Sequence, residues 1–197
     1  MTNTIEARIG KTNLRADPGS ITFGGMTLLW DQVDAISYVM ETVSHGINGV
    51  TTSKTQRRTF TISGAGTKIR VDASVPEKDG AALDAWYKPL CELADQIVVP
   101  RIAGEMLRQL ETDGQVVLGS VTVRKSGLAH KGPLGGVKYL PWDAIADVQF
   151  MPYGGTWAIR AKRGEGKRAA TFASLPYQEM NLPPFLRLLN YCRQNLA

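Results

Sequence analysis

The residues whose type and spacing could do chemistry are cations in the second half of the chain. Lys162-Arg163 and Lys167-Arg168 bracket one glycine-rich turn, with Arg160 just before it. Arg124-Lys125 and Lys131, beside His130, sit on an earlier hairpin of the same half. Clustered lysines and arginines of this kind can collect phosphate or carboxylate oxygens, Arg in bidentate fashion and Lys as a point charge. These eight, Arg124, Lys125, Lys131, Arg160, Lys162, Arg163, Lys167 and Arg168, form the candidate anion or lipid contact. Arg57-Arg58 with Lys54 is a weaker version in the first half. The charge is uneven. Residues 1–100 hold 10 basic and 11 acidic side chains, and residues 101–197 hold 13 and 7, so the overall +5 comes from the second half. Such a field favours an anionic partner and speaks to association rather than fold.

Other chemistries find no footing. His45 and His130 are the only histidines, one in a Gly-containing stretch and one at a strand end, with no Cys or carboxylate at ligand spacing. Gly119-Ser120 lacks the G-x-S-x-G spacing of a nucleophile elbow. Gly127 to Gly132 is spaced like the start of a P-loop, but Pro133 stands where the lysine must be. Gly64-x-Gly66 and Gly164-x-Gly166 join strand to strand, where glycine serves turn geometry. No catalytic residue, cofactor site or metal site is expected. Cys91 and Cys192 lie far apart in helical patterns and read as buried free thiols of a reducing cytoplasm. Met1–Gly10 has no apolar core of a secretory signal, and no run reaches the roughly 18 apolar residues of a membrane span.

The elements that must position these residues come in two copies. Trp142-Asp143-Ala144-Ile145 answers Trp30-Asp31-Gln32-Val33 at an offset of 142 − 30 = 112 residues, and in both an apolar strand-like run stands on either side. In the first copy, strands read at Thr4–Gly10, Ile21–Phe23, Met26–Leu29, Val33–Met40, Thr59–Ser63 and Lys68–Ala73. Phe60 and Ile62, like Ile69 and Val71, alternate with polar residues, the period of a half-buried strand. Glu41–Gln56 shows no periodicity and reads as a long loop or a ragged hairpin extension. From Ala81 the apolar spacing turns helical, with Pro89 expected to kink or break it and Pro100 to open a further helix. The second copy repeats the order, with strands from Gln115 to Ala173 and a last helix beginning near Pro183-Pro184.

Strands followed by a helix, twice over, argue against an alternating parallel α/β sheet. The expected class is mainly β with helices (all-β/α+β). Each half is expected to be a bent antiparallel sheet or partly open barrel capped by a C-terminal helix. The expected boundaries are domain 1 over residues 1–98, a connecting helix over 99–113 and domain 2 over 114–197. Trp30 and Trp142 read as core anchors, with the following Asp opening the next turn through backbone N–H bonds.

GQVVLGSVTVRKSGL, KYLPWDAIADV and NLPPFLRLL resemble bacterial pleckstrin-homology-like (PH-like) domains. More narrowly, the chain resembles the tandem PH-like proteins of actinobacteria, in which a Leu-Pro-Trp element and a preceding Val-Pro-Arg helix recur. Here these are Leu140-Pro141-Trp142 and the helix from Val99-Pro100-Arg101 to Leu110. The likeness covers about residues 99–192 and rests only on Trp30-Asp31 and the element order over 1–98. It implies a non-catalytic role in binding or scaffolding. PH domains that bind phosphoinositides use K-x(n)-[KR]-x-R on a first hairpin; Arg124-Lys125…Lys131 departs from that pattern. The leading expectation is therefore a cytoplasmic protein-interaction or scaffolding module whose partner is unknown, with Glu41–Gln56 as a candidate contact. The alternative is peripheral binding of anionic lipid at the inner face of the membrane. Nucleic acid is not expected, because aromatics do not interleave with the cations. A homodimer through sheet edges stays open.

Overall fold

The computed structural model describes residues 4–47, 50–132, 135–151, 155–164 and 167–196. The chain divides into two compact units, Met1–Pro100 and Arg101–Ala197. In the first unit β1 (Ile5–Ile9), β2 (Thr12–Ala16), β3 (Ser20–Phe23) and β4 (Met26–Leu29) form one antiparallel sheet in chain order. β5 (Ala35–Ile47), β6 (Val50–Gly64) and β7 (Thr67–Pro76) form a second. A 3-10 turn at Trp30–Gln32 joins the two sheets, and α1 (Gly80–Asp113) follows β7.

The second unit has the same order. β8 (Gln115–Leu118), β9 (Val121–Arg124), β10 (Gly127–Lys131) and β11 (Val137–Pro141) make a four-stranded antiparallel sheet. A 3-10 turn at Trp142–Ala144 leads to β12 (Ile145–Met151), β13 (Thr156–Ala161) and β14 (Ala170–Pro176), and α2 (Leu182–Asn195) closes the chain. The class is thus mostly β with two helices. No barrel closes among the described residues, because the four-stranded and three-stranded sheets of each unit share no ladder.

Burial explains why these residues form these elements. In unit 1, Leu14, Ile21, Leu28, Val33, Ile36, Phe60, Ile62, Ile69 and Val71 face inward and are almost fully buried, together with Leu90 and Ala94 of α1. In unit 2 the same role falls to Val121, Val123, Leu128, Ile159, Leu175 and Phe185. β2 is absent from the sequence reading because Leu14 and Ala16 are its only apolar residues. Gly64, at the end of β6, lies against the first 3-10 turn, and a Cβ there would fall 1.8 Å from the Gln32 carbonyl oxygen.

Of the two readings of Glu41–Gln56, the structure shows the ragged hairpin extension: β5 and β6 pair from Ala35↔Ser63 out to Ile47↔Val50 with a register shift at His45/Gly46, and residues 48–49 lie outside the described residues. Periodicity is missing because residues 42–46 and 51–54 are exposed on both faces, so neither needs to be apolar. Pro89 and Pro100 both lie inside one helix, so residues 99–113 are the last part of α1 rather than a separate connecting helix. A helix proline costs about 3 kcal/mol. Burial of Trp86, Leu90, Ala94 and Val98 before Pro100, and of Ile102, Met106 and Leu110 after it, offsets that cost.

Candidate functional site

Trp142 organises the end of unit 2 where the cations gather. Its ring is 3% exposed, and its indole Nε1 donates to the Lys125 carbonyl at 3.0 Å, which pins the β9–β10 turn to the 3-10 turn. Trp30 does the same in unit 1, donating to the Asp17 carbonyl in the β2–β3 turn at 2.6 Å. The aspartates after them do not do what the sequence suggested. Asp31 and Asp143 are exposed in the first turns of their 3-10 helices, and the cap positions belong to Leu29 and Pro141, which make no side-chain cap bond.

The β13–β14 connection meets the same 3-10 turn. Lys162 donates from Nζ to the Asp143 carbonyl at 2.7 Å and from its backbone N–H to the Ala144 carbonyl at 2.8 Å. These bonds bring Arg124 and Lys125 to the same end of the unit as Lys162 and Arg163. Lys167 and Arg168 follow in the same connection and are exposed, and residues 165–166 between the two basic pairs lie outside the described residues. Lys131 is not part of this group. It stands at the far end of β10, four residues and about 13 Å of extended strand from Gly127, where its N–H donates to the Ser120 carbonyl. Arg124-Lys125 also lies on the unit's second hairpin, since Gly119-Ser120 between β8 and β9 forms the first.

Several of the cations are already engaged. Arg160 grips Asp147 in bidentate fashion across β12 and β13, with Nε 2.7 Å from Oδ1. That hydrogen bonding holds the Asp147 carboxyl below its ordinary range and pushes Arg160 further up. Lys125 Nζ donates to the Glu111 carbonyl at 3.3 Å, in the last turn of α1 where a cation complements the helix dipole. Arg124, Arg163, Lys167 and Arg168 make no ion pair among the described residues. In unit 1, Arg57 pairs with Asp72 and Glu41, and Arg58 is buried on Asp84, so neither presents a free cation.

Neither cysteine is an activated nucleophile. Burial pushes the Cys91 thiol up to about 12 and the Cys192 thiol up to about 11, the opposite of an activated nucleophile. Both cysteines are free, Cys192 buried and Cys91 half-buried. His45 lies on the β5–β6 hairpin; His130 sits 3.3 Å through Nδ1 from the Ser120 carbonyl and edge-on to Phe172. No group of three His, Cys, Asp or Glu side chains able to hold a metal occurs among the described residues.

The carboxylates do predict a pH dependence. The Arg57 hydrogen bond, joined by Arg70, holds Asp72 below its ordinary value against the opposing effect of burial, and Arg160 does the same for Asp147. A lowered folded-state pKa stabilises above the unfolded range and loses that contribution as pH falls through the folded value. Denaturant midpoints should therefore hold steady down to about pH 4 and drop below it; an Arg57→Met, Arg160→Met variant should lose much of that dependence.

Sequence reasoning missed one surface. Val137–Leu140 is the apolar strand-like run before Trp142, yet only Leu140 of the four is buried; Val137 and Tyr139 are exposed. Their period of two was visible, but which face meets the core is decided by the partner strands.

Residues 120–182, from the β8–β9 turn to the start of α2, match the family model of a bacterial PH domain. No curated protein matches the chain. The matched residues hold β9 to β14, six of the unit's seven antiparallel strands. The second unit of this chain is a bacterial PH-like domain.

Proposed function

We propose that the chain is a non-enzymatic protein-interaction or scaffolding module of two PH-like units in tandem, working in the cytoplasm. The observation that carries this reading is the β5–β6 ribbon of unit 1. β7 pairs with β6 only as far as Thr55↔Pro76, so residues 44–47 and 50–54 form a two-stranded ribbon beyond the three-stranded sheet. Its exposed faces add nothing to the core, and isolated two-stranded ribbons are marginally stable. β12 and β13, the corresponding strands of unit 2, have 7 and 6 residues against 13 and 15 for β5 and β6. A partner chain that orders the ribbon gives those extra residues a role.

The competing reading is adhesion to anionic lipid through Arg124, Lys162, Arg163, Lys167 and Arg168. Each cation near an anionic membrane contributes about 1 kcal/mol, so the set would give weak, salt-sensitive binding. No helix among the described residues is long and apolar enough to cross a membrane. The test uses the full chain as bait in its native cell extract, beside a variant with residues 44–54 replaced by an Asn-Gly turn. A protein retained reproducibly by the first and lost by the second, with both folded, is the expected result. Sedimentation with phosphatidylserine vesicles at physiological salt, abolished when Lys162, Arg163, Lys167 and Arg168 become Glu, would overturn it in favour of lipid.

A further inference from the structure

The outer face of the β8–β11 sheet carries three large side chains that the core does not use, Val117, Val137 and Tyr139. Register puts Val117, Thr122, Ala129 and Tyr139 side by side across all four strands, on the face opposite the buried Val116, Val123, Leu128 and Leu140. Val117 is 58% exposed and Tyr139 50%; Val137, two residues before Tyr139 on the edge strand β11, is 68% exposed. Gly127 lets the Tyr139 ring lie along the sheet, for a Cβ there would come within 2.8 Å of Tyr139 Oη.

The corresponding face of unit 1 shows that the fold does not require this. There Glu6, Arg15, Thr22 and Thr27 stand side by side, with Arg15 near Glu6 and the two threonine hydroxyls 2.9 Å apart. Charge differs in the same way. Residues 115–141 hold Arg124, Lys125, Lys131 and Lys138 and no acidic residue at all. Arg124 and Lys131 lie on the outer face itself, one on each side of the row of Val117, Thr122, Ala129 and Tyr139.

We infer that this face docks an acidic, apolar segment of a partner protein. The inference rests on the reading of the chain as an interaction module. The three large side chains and the cationic rim together match a segment in which Leu, Ile, Phe or Trp stands among Asp and Glu. A second copy of this face would set like charges against each other, which argues against self-association here. A membrane takes apolar side chains from protruding tips, whereas the β8–β9 tip is Gly119-Ser120 and the β9–β10 tip Lys125-Ser126, neither with a large apolar residue.

The test is selection of a random 15-residue peptide display library on the full chain, followed by amide shift mapping of one enriched peptide. Enriched peptides should combine acidic with large apolar residues and shift Val117, Thr122, Ala129 and Tyr139. Val117→Thr, Val137→Thr and Tyr139→Thr together should leave the melting curve unchanged and weaken binding by about tenfold or more. Lys131→Glu with Arg124→Glu should weaken it further and flatten its salt dependence. Enrichment of peptides without acidic residues, shifts confined to other surfaces, or full affinity in the triple variant would each overturn the inference. So would vesicle binding that the triple variant loses when no peptide binds. If the triple variant keeps full peptide affinity while the native chain still captures a partner through the ribbon, this face fails and the interaction module stands; if no partner is captured and no peptide is enriched, that broader reading fails.

Discussion

Replacing Trp142 with alanine should destabilise unit 2 by about 3–5 kcal/mol, a large share of what a domain of this size possesses. Two losses combine. The ring is buried where the β9–β10 turn, the 3-10 turn and the β13–β14 connection converge, and its removal leaves a cavity that three backbone segments cannot easily collapse into. The Lys125 carbonyl also loses its indole donor. Trp142→Phe keeps most of the apolar contact and should recover more than half of the loss, the remainder reflecting the hydrogen bond, about 1 kcal/mol. Denaturant unfolding followed by far-ultraviolet circular dichroism measures both. A cost below about 1 kcal/mol for the alanine variant would mean that the indole is not the anchor of this end.

Asp84→Ala should cost unit 1 about 3 kcal/mol, the lower end for breaking a buried ion pair. Arg58 is 3% exposed, and its Nε and Nη2 reach Asp84 Oδ1 at 2.9 and 2.8 Å. Gln56 Oε1 accepts from its Nη2 and the Arg57 carbonyl from its Nη1, and the guanidinium rests 5.9 Å from the Tyr87 ring centroid. Without Asp84 the charge stays buried with neutral acceptors only. Asp84→Ala with Arg58→Met removes both charges and should restore most of the stability, because the methionine keeps the apolar contact with Tyr87. Burial alone would raise the Asp84 pKa, but hydrogen bonds from Lys88 and Arg58 override it and hold the carboxyl below its ordinary range. Its stabilisation is therefore present above about pH 4 and fades as pH falls through the folded value. The single variant should lose part of the acid-sensitivity of the native chain. Equal stability of single variant and native chain at pH 7 would show that the pair does not hold α1 to the sheet.

Much of the architecture is legible in the residues because strand and helix periods are local. Phe60-Thr61-Ile62 and Ile69-Arg70-Val71 announce half-buried strands, and the helical row Leu83, Trp86, Leu90 and Ala94 announces α1. The two Trp-Asp elements at an offset of 112 residues foretell the two matching 3-10 turns. The local rules failed where a distant surface overrides them. Prolines 89 and 100 remain inside a helix because the buried row around them supplies what the missing hydrogen bonds do not. Residues 42–46 and 51–54 of β5 and β6 have no apolar period because they are exposed on both faces.

The sequence alone determined the strands-then-helix order of each half, the anchoring tryptophans and the surplus of cations in the second half. These depend on residue type and short-range period, which no packing partner can change. Tertiary structure decided which cations stand together, which are engaged and which side of a strand meets solvent. Arg160 is held by Asp147 through strand pairing, and Lys131 stands a strand's length from Lys125. Val137 and Tyr139 look outward because Leu140, between Tyr139 and Pro141, has the inward position opposite Leu128. A charge or an apolar side chain acquires a role only when its neighbours in space are known, and pairing register, not sequence distance, sets those neighbours.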